Sequence, residues 1–315
     1  MIGAVKHLVE QYDKVTILTH LNPDADTIGT ALGIYALLKK YGKQVEVANY
    51  GKNLPNYLDF LPHFAKIKNR IDFENSLIIS CDTGSVDRLG FDIVNREIIN
   101  IDHHKTNTHY GVINVVEPKA VSASQVAFEL FKDEFLITPE VATCFYTALV
   151  SDTRFFSTHN ISQETFLVAS EMIGYGVDFS SVILNLKERK SLASIRILSS
   201  AIDSLEMFEA GQIVTMVASR QKMLETGAKM TDIEGIVGYG ISLATAEIAI
   251  FLVECQEYIR VSIRSKRIDI STVALHFNGG GHTHAAGFEI ENISLKELLK
   301  EIKQKIKKER LLDET

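Results

Sequence analysis

Histidine and aspartate recur in this 315-residue chain in patterns that suit divalent metal ions. The block His20-Leu21-Asn22-Pro23-Asp24-Ala25-Asp26 follows the β-branched run Val15-Thr16-Ile17-Leu18. Asp102-His103-His104 follows Ile98-Ile99-Asn100-Ile101. Asp82 and Asp152 each stand at the end of a further apolar segment. Pro23 forces a turn after His20, so Asp24 and Asp26 can face one cavity. Capping of the next helix would account for one of these aspartates, but not for His20 and the other. Successive strand residues face opposite ways. This predicts different jobs for the tandem histidines, one a metal ligand, the other a donor or acid toward substrate. Asp82 and Asp152 could each merely start a turn; together they supply the carboxylates to balance two ions.

Donor type narrows the ion. Aspartate and histidine without thiolate favour Mn²⁺ or Mg²⁺, with Zn²⁺, Fe²⁺ or Co²⁺ admissible. Two ions about 3.5–4 Å apart would bridge a hydroxide and polarise a phosphoryl oxygen. The expected chemistry is metal-dependent hydrolysis of phosphate esters. A second chemical feature is Gly279-Gly280-Gly281-His282-Thr283-His284-Ala285-Ala286-Gly287. Three glycines let backbone N–H groups approach an anion, and Ala285 and Ala286 keep that wall thin. Arg264, beside Ser265 at a strand end, could pair with a phosphate. A plain flexible turn would explain the glycines but not His282 and His284.

The elements that must position these groups read as β-α-β alternation over residues 14–155. Strands are expected at 15–18, 45–49, 76–81 and 98–101, and helices at 27–41 and 139–150, the latter with Thr138 as N-cap and Pro139 first. This predicts a mostly parallel sheet covered by helices. In such sheets ligands bind beyond the carboxyl ends of the strands, where His20, Asp82 and Asp102 fall. A long helical stretch at 180–207 is expected to contain the link between domains. Beyond it, strands are expected at 212–218, 247–253, 258–264 and 287–290, with a helix at 270–277, a glycine loop and an amphipathic helix over 294–312. The division is 1–185 for a catalytic domain, 186–207 for the connection and 208–315 for a smaller α/β substrate-binding domain.

Composition excludes other classes. With 46% hydrophobic and 23% charged residues the chain is ordinary for a globular protein. A net charge of −7 disfavours a long nucleic acid, although a metal site reverses the field locally for a short anion. Cys81, Cys144 and Cys255 form no C-x-x-C pair, which fits a reducing compartment. No signal peptide or long apolar span is legible, so a cytoplasmic protein without membrane contact is expected.

These residues together resemble the DHH phosphoesterase superfamily. The His20 block is similar to its first motif, Asp82 to the second, Asp102-His103-His104 to the third and Ser151-Asp152-Thr153 to the fourth. Arg264-Ser265 and the 279–287 run resemble the smaller DHH-associated domain. Length and two-domain plan are most similar to the nanoRNase group, Mn²⁺-dependent oligoribonucleases that often also dephosphorylate 3′-phosphoadenosine 5′-phosphate (pAp). The resemblance implies His20, Asp24 and Asp82 on one metal, and Asp26, Asp82, His103 and Asp152 on the other. It implies that Asp102 orients His103 and that His104 contacts the scissile phosphate. Arg264, Ser265, His282, His284, Arg154 and the glycines Gly279, Gly280 and Gly281 would hold the rest of a short RNA or DNA oligonucleotide or a phosphorylated nucleotide. Two positions depart from the pattern: Arg154 and Asn278 stand where glycine is usual. An enzyme of linear or cyclic dinucleotide messengers is the alternative, a nucleotide-binding sensor the remote one. A RecJ-type exonuclease and an inorganic pyrophosphatase fit less well. A homodimer is admissible.

Overall fold

The computed structural model describes residues 1–51 and 54–308. The chain divides into two compact units, Met1–Arg189 and Lys190–Thr315. In the first, α1 (Ile2–Gln11) leads into β1 (Lys14–Leu18), α2 (Ala25–Lys40), β2 (Gln44–Ala48), β3 (Ile67–Lys68), β4 (Leu77–Cys81), β5 (Ile98–Asp102) and β6 (Ile113–Val116). Helices α3 (Ala123–Phe131), α4 (Pro139–Asp152), α5 (Gln163–Gly174) and α6 (Phe179–Glu188) complete it. The six strands are all parallel, in the order β3-β2-β1-β4-β5-β6. Strand order reverses between β1 and β4, the switch point at which open parallel sheets bind ligands. His20 follows β1 and Asp82 follows β4, so the topology delivers both to that crevice.

Helices α2 and α4 are the inner layer. Residues 25–38 of α2 are all buried, which is why its pattern is apolar all round rather than amphipathic. Gly29 lets the two helices meet: a Cβ there would lie 2.6 Å from the Cys144 carbonyl and 2.8 Å from the Ala148 Cβ. Asp26 lies in the first turn of α2 and Asp152 is the last residue of α4. Close packing of these helices therefore brings two carboxylates distant in sequence to one spot.

The second unit comprises α7 (Leu192–Asp203), β7 (Glu206–Phe208), β8 (Ile213–Ala218), α8 (Arg220–Thr226), α9 (Ile236–Ile241), β9 (Ile248–Glu254), β10 (Tyr258–Ser265), α10 (Ser271–His276), β11 (Gly280–His282), β12 (Ala285–Glu291) and α11 (Leu295–Lys308). Its sheet runs β11-β12-β10-β9-β8-β7, antiparallel except for β8 with β9. One face packs Leu298, Ile302 and Ile306 of α11, and the other packs Ile197 of α7 and Val237 of α9. Burying each of these side chains contributes about 1.5–3 kcal/mol.

The long helical stretch expected at 180–207 is two helices, α6 and α7, interrupted at 189–191. The unit boundary falls in that break, and α7 packs into the second unit's core. Residues 280–282, expected as loop, form an edge strand paired with β12. The last helix is described to Lys308, and the expected extension to Leu312 lies outside the described residues. Among the described residues, no single helix is long and apolar enough to cross a membrane.

Candidate metal centre

Asp82 is the centre of the cluster. It follows β4 in a left-handed backbone conformation, φ 54°, where a non-glycine residue is strained. Its N–H is held by the Ile101 carbonyl at 2.9 Å. Its two carboxylate oxygens face opposite ways. Oδ2 lies 3.5 Å from His20 Nε2, and Oδ1 lies 3.5 Å from His103 Nε2. Around the first pair stands Asp24, 3.8 Å from His20 Nε2. Around the second stand Asp26 at 3.8 Å and Asp152 at 3.6 Å from His103 Nε2. The donors thus gather in three overlapping groups, His20–Asp24–Asp82, Asp26–His103–Asp152 and Asp82–His103–His104.

Local structure aims each donor. Asn49, buried at the end of β2, donates to the His20 carbonyl at 2.7 Å and fixes the turn after β1. Asp24 does cap α2, accepting from the N–H groups of Asp26 and Thr27 at 3.0 and 3.1 Å, so capping and the cluster share one carboxylate. Asp26 accepts from the Ala123 and Ser124 N–H groups at the start of α3, at 2.7 and 3.2 Å.

The two histidines do not separate across a strand, because β5 ends at Asp102 and the alternation rule no longer applies. Both rings approach Asp82 Oδ1, at 3.5 Å each. They differ in what holds Nδ1. That of His103 faces the Ala120 carbonyl at 3.3 Å; a carbonyl only accepts, so Nδ1–H donates and Nε2 turns to the cluster. That of His104 faces Asp102 Oδ1 at 2.7 Å. Asp102 therefore orients the ring of His104; from His103 it accepts only the backbone N–H, at 2.8 Å. The expectation that Asp102 orients the His103 ring is corrected accordingly.

The donor chemistry fits divalent cations. His20 Nδ1 and Asp82 Oδ1 are buried without a hydrogen-bond partner. Separations of 3.5–3.8 Å are too long for strong hydrogen bonds. They approach the distance between neighbouring ligands on one ion with bonds of about 2.1 Å. Without a cation the charges are unsettled. Burial, then the Asp82 charge, pushes Asp26 well above the carboxylate range. Burial likewise raises Asp152 to about 7, against the pull of His103. Burial disfavours the His103 cation, yet contact with Asp82 and the Asp26 and Asp152 charges raise it to about 10. A proton then sits where an ion would. Contact with Asp102 also raises His104.

In the second unit, Arg264 on β10, Ala285 on β12 and His282 on β11 share one register row, so their side chains leave one face of the sheet. Small Ala285 separates the two larger groups. Ser265 is committed within its unit, donating to the Ile268 carbonyl and lying 3.2 Å from His284 Nδ1. Gly279 and Gly281 are needed by packing: a Cβ on either would lie 2.3–2.4 Å from β12 backbone. Gly280 has nothing within 4 Å of such a Cβ. Arg154 begins a run of three left-handed residues, Arg154, Phe155 and Phe156, with φ of 46°, 57° and 60°. Phe155 keeps 40% of its surface exposed. Sequence reasoning missed that run, Asn49, the start of α3, and the buried amides Asn100 and Asn107 near Asp102; nothing in the local pattern of an isolated asparagine marks it.

Residues 14–149 match the DHH family, N-terminal domain, and residues 197–308 match the DHHA1 domain. The chain is 28% identical over 301 residues to the bifunctional oligoribonuclease and PAP phosphatase NrnA of Thermus thermophilus, covering 94% of this chain and 90% of that relative. It is 24% identical to the cyclic-di-AMP phosphodiesterase PdeA of Listeria monocytogenes, over 95% of this chain and 48% of PdeA. The fold is similar to the crystal structure of an exopolyphosphatase-related protein from Bacteroides fragilis, with a TM-score of 0.89, 25% identity, and 97% and 96% of the two chains covered.

Proposed function

We propose that this chain, whose residues 14–149 match the DHH family N-terminal domain and residues 197–308 the DHHA1 domain, is a phosphoesterase of that family that hydrolyses short oligoribonucleotides to mononucleotides and pAp to AMP. The observation that carries this reading is the division of the Asp82 carboxylate between two donor sets. When bound, two divalent ions supply activation of water and neutralisation of phosphoryl charge. Mn²⁺ suits the oxygen-rich donors, with Mg²⁺ or Co²⁺ as substitutes. The names of the relatives support the substrate class.

The chain's own residues do the rest. His20, Asp24 and Asp82 would hold one ion, and Asp26, Asp82, His103 and Asp152 the other. Contact with Asp102 favours the doubly protonated His104 ring, so that Nδ1–H is held by Asp102 while Nε2–H donates to a phosphoryl oxygen and stabilises its developing charge. Arg264, His282, Gly280 and Arg154 bind the remainder of the substrate. The net charge of −7 supports short substrates over long nucleic acid. A cytoplasmic location fits this reading, and a homodimer is admissible within it.

The test is a substrate panel with purified protein and Mn²⁺: a labelled diribonucleotide, pAp, cyclic di-AMP and a long RNA, each with wild type and Asp82→Asn. Turnover of the first two, lost in the variant, is expected. Preference for cyclic di-AMP would move the assignment to dinucleotide messengers, and metal binding without any turnover would make the protein a sensor.

A further inference from the structure

Asp102 is fully buried, and every oxygen of its carboxylate is engaged. Oδ1 accepts from the His103 N–H and the His104 ring; Oδ2 accepts from Asn107 Nδ2 at 2.5 Å. The Asn107 amide is locked from both ends. Its nitrogen also faces Asn100 Oδ1 at 2.7 Å and the Thr83 carbonyl at 3.3 Å, while its oxygen accepts the His109 N–H at 2.7 Å. A flipped amide would set oxygen against three acceptors. Behind it, Asn100 is fully buried within β5 and donates to Ser80 Oγ at 3.1 Å and Tyr110 Oη at 2.9 Å. Tyr110 in turn donates to Ser80 Oγ at 2.8 Å. The chain Tyr110–Asn100–Asn107–Asp102–His104 is thus anchored in β4 and β5. None of the hydrogen bonds of Asn107 goes to a residue of the two donor sets.

We propose that Asn107 is a positioning residue for His104. It occupies Asp102 Oδ2, fixes the carboxylate rotamer and leaves Oδ1 to the His104 Nδ1–H, which sets the ring's direction. The inference rests on the role of His104 in the function proposed above. Aspartate has no N–H for Asp102, and alanine leaves Oδ2 buried and unpartnered.

The test is a double-mutant cycle of Asn107→Ala and His104→Ala, with the isosteric Asn107→Asp included in case the alanine variant does not fold. Diribonucleotide turnover and Mn²⁺ affinity are read in each. Asn107→Ala is expected to lower kcat about 10- to 100-fold, with KM and Mn²⁺ affinity within about twofold. In the His104→Ala background the same change is expected to alter kcat by less than about twofold. An equal loss in both backgrounds, or a loss carried by KM or Mn²⁺ affinity, would overturn the proposal. Should wild type turn over nothing, the functional reading fails while this one is still read by NMR. The His104 Nδ1–H resonance, identified by its absence in His104→Ala, is expected downfield in wild type and lost or moved upfield in the Asn107 variants. An unchanged resonance would refute the positioning role.

Discussion

Asp82 Oδ1 and His103 Nε2 stand 3.5 Å apart, and Asp82 Oδ1 is buried without a hydrogen-bond partner. A bare carboxylate and imidazole would close to hydrogen-bond distance if nothing prevented it. Here β4 and β5 fix the backbones, while the Ala120 carbonyl holds the far side of the His103 ring. The gap is built into the fold, and so is the mutual repulsion of the carboxylates around it.

Asp152→Asn should therefore act in opposite directions with and without metal. An aspartate at about 7 in the folded protein and about 3.9 in the unfolded chain binds more protons when folded. Stability of the metal-free protein is then lost as pH rises from about 4 to about 7. The amide removes that loss. Thermal melts at pH 8 should show the metal-free variant about 2–4 °C above wild type, with a smaller Mn²⁺-induced rise. A lower melting temperature without metal would contradict the crowding argument.

The start of α3 offers a second lever on the same site. Ala123 is its first residue, Ser122 the extended N-cap before it, and proline is tolerated at that helical position. Ala123→Pro removes the N–H that Asp26 Oδ2 accepts and sets a ring carbon in its place. The carboxylate must move. Mn²⁺ affinity is expected to fall about 10- to 100-fold, measured by titration, with helical content retained. Unchanged affinity would show that Asp26 needs no such orientation.

The donors were legible in the sequence because their chemistry is borne by residue type, and their convergence because β-α-β alternation dictates where strands end. What held them was not legible. Asp26 meets α3 and Asn107 meets Asp102 through loops whose paths no local pattern encodes. The jobs of His103 and His104 depend on where β5 stops, a boundary one or two residues wide. The two departures from the family pattern have a common physical reading. Arg154 and Asn278 adopt φ of 46° and 58°, the left-handed region that glycine enters freely. Asparagine tolerates this conformation, whereas arginine is strained in it.

Arg154→Gly follows from that strain. Relieving one left-handed non-glycine residue is worth about 1 kcal/mol, less the extra entropy glycine restores to the unfolded chain. The variant should melt no lower than wild type yet show a KM for pAp raised several-fold, because the guanidinium proposed to bind substrate is gone. A marked fall in melting temperature with KM unchanged would make Arg154 a structural residue only.

The glycine run separates in the same way into packing and contact. Gly279 lies against β12: an added Cβ would meet the Gly287 carbonyl at 2.3 Å and the Phe288 Cβ at 2.4 Å. Neither neighbour can yield cheaply, since one is sheet backbone and the other carries a ring stacked on Phe277 at 4.5 Å. Gly279→Ala should cost about 1–3 kcal/mol, the range for overpacking, read as a lower melting temperature of the second unit. Gly280 has open space where its Cβ would stand and an ordinary φ. Gly280→Ala should leave the melt within about 0.5 kcal/mol of wild type. If the outer edge of β11 takes substrate, as its place at the end of the sheet allows, the methyl group stands in the substrate's place. KM for the diribonucleotide should then rise with kcat little changed. An unaltered KM would remove Gly280 from the binding surface and leave Arg264 and His282, flanking Ala285 in one register row, as its candidates.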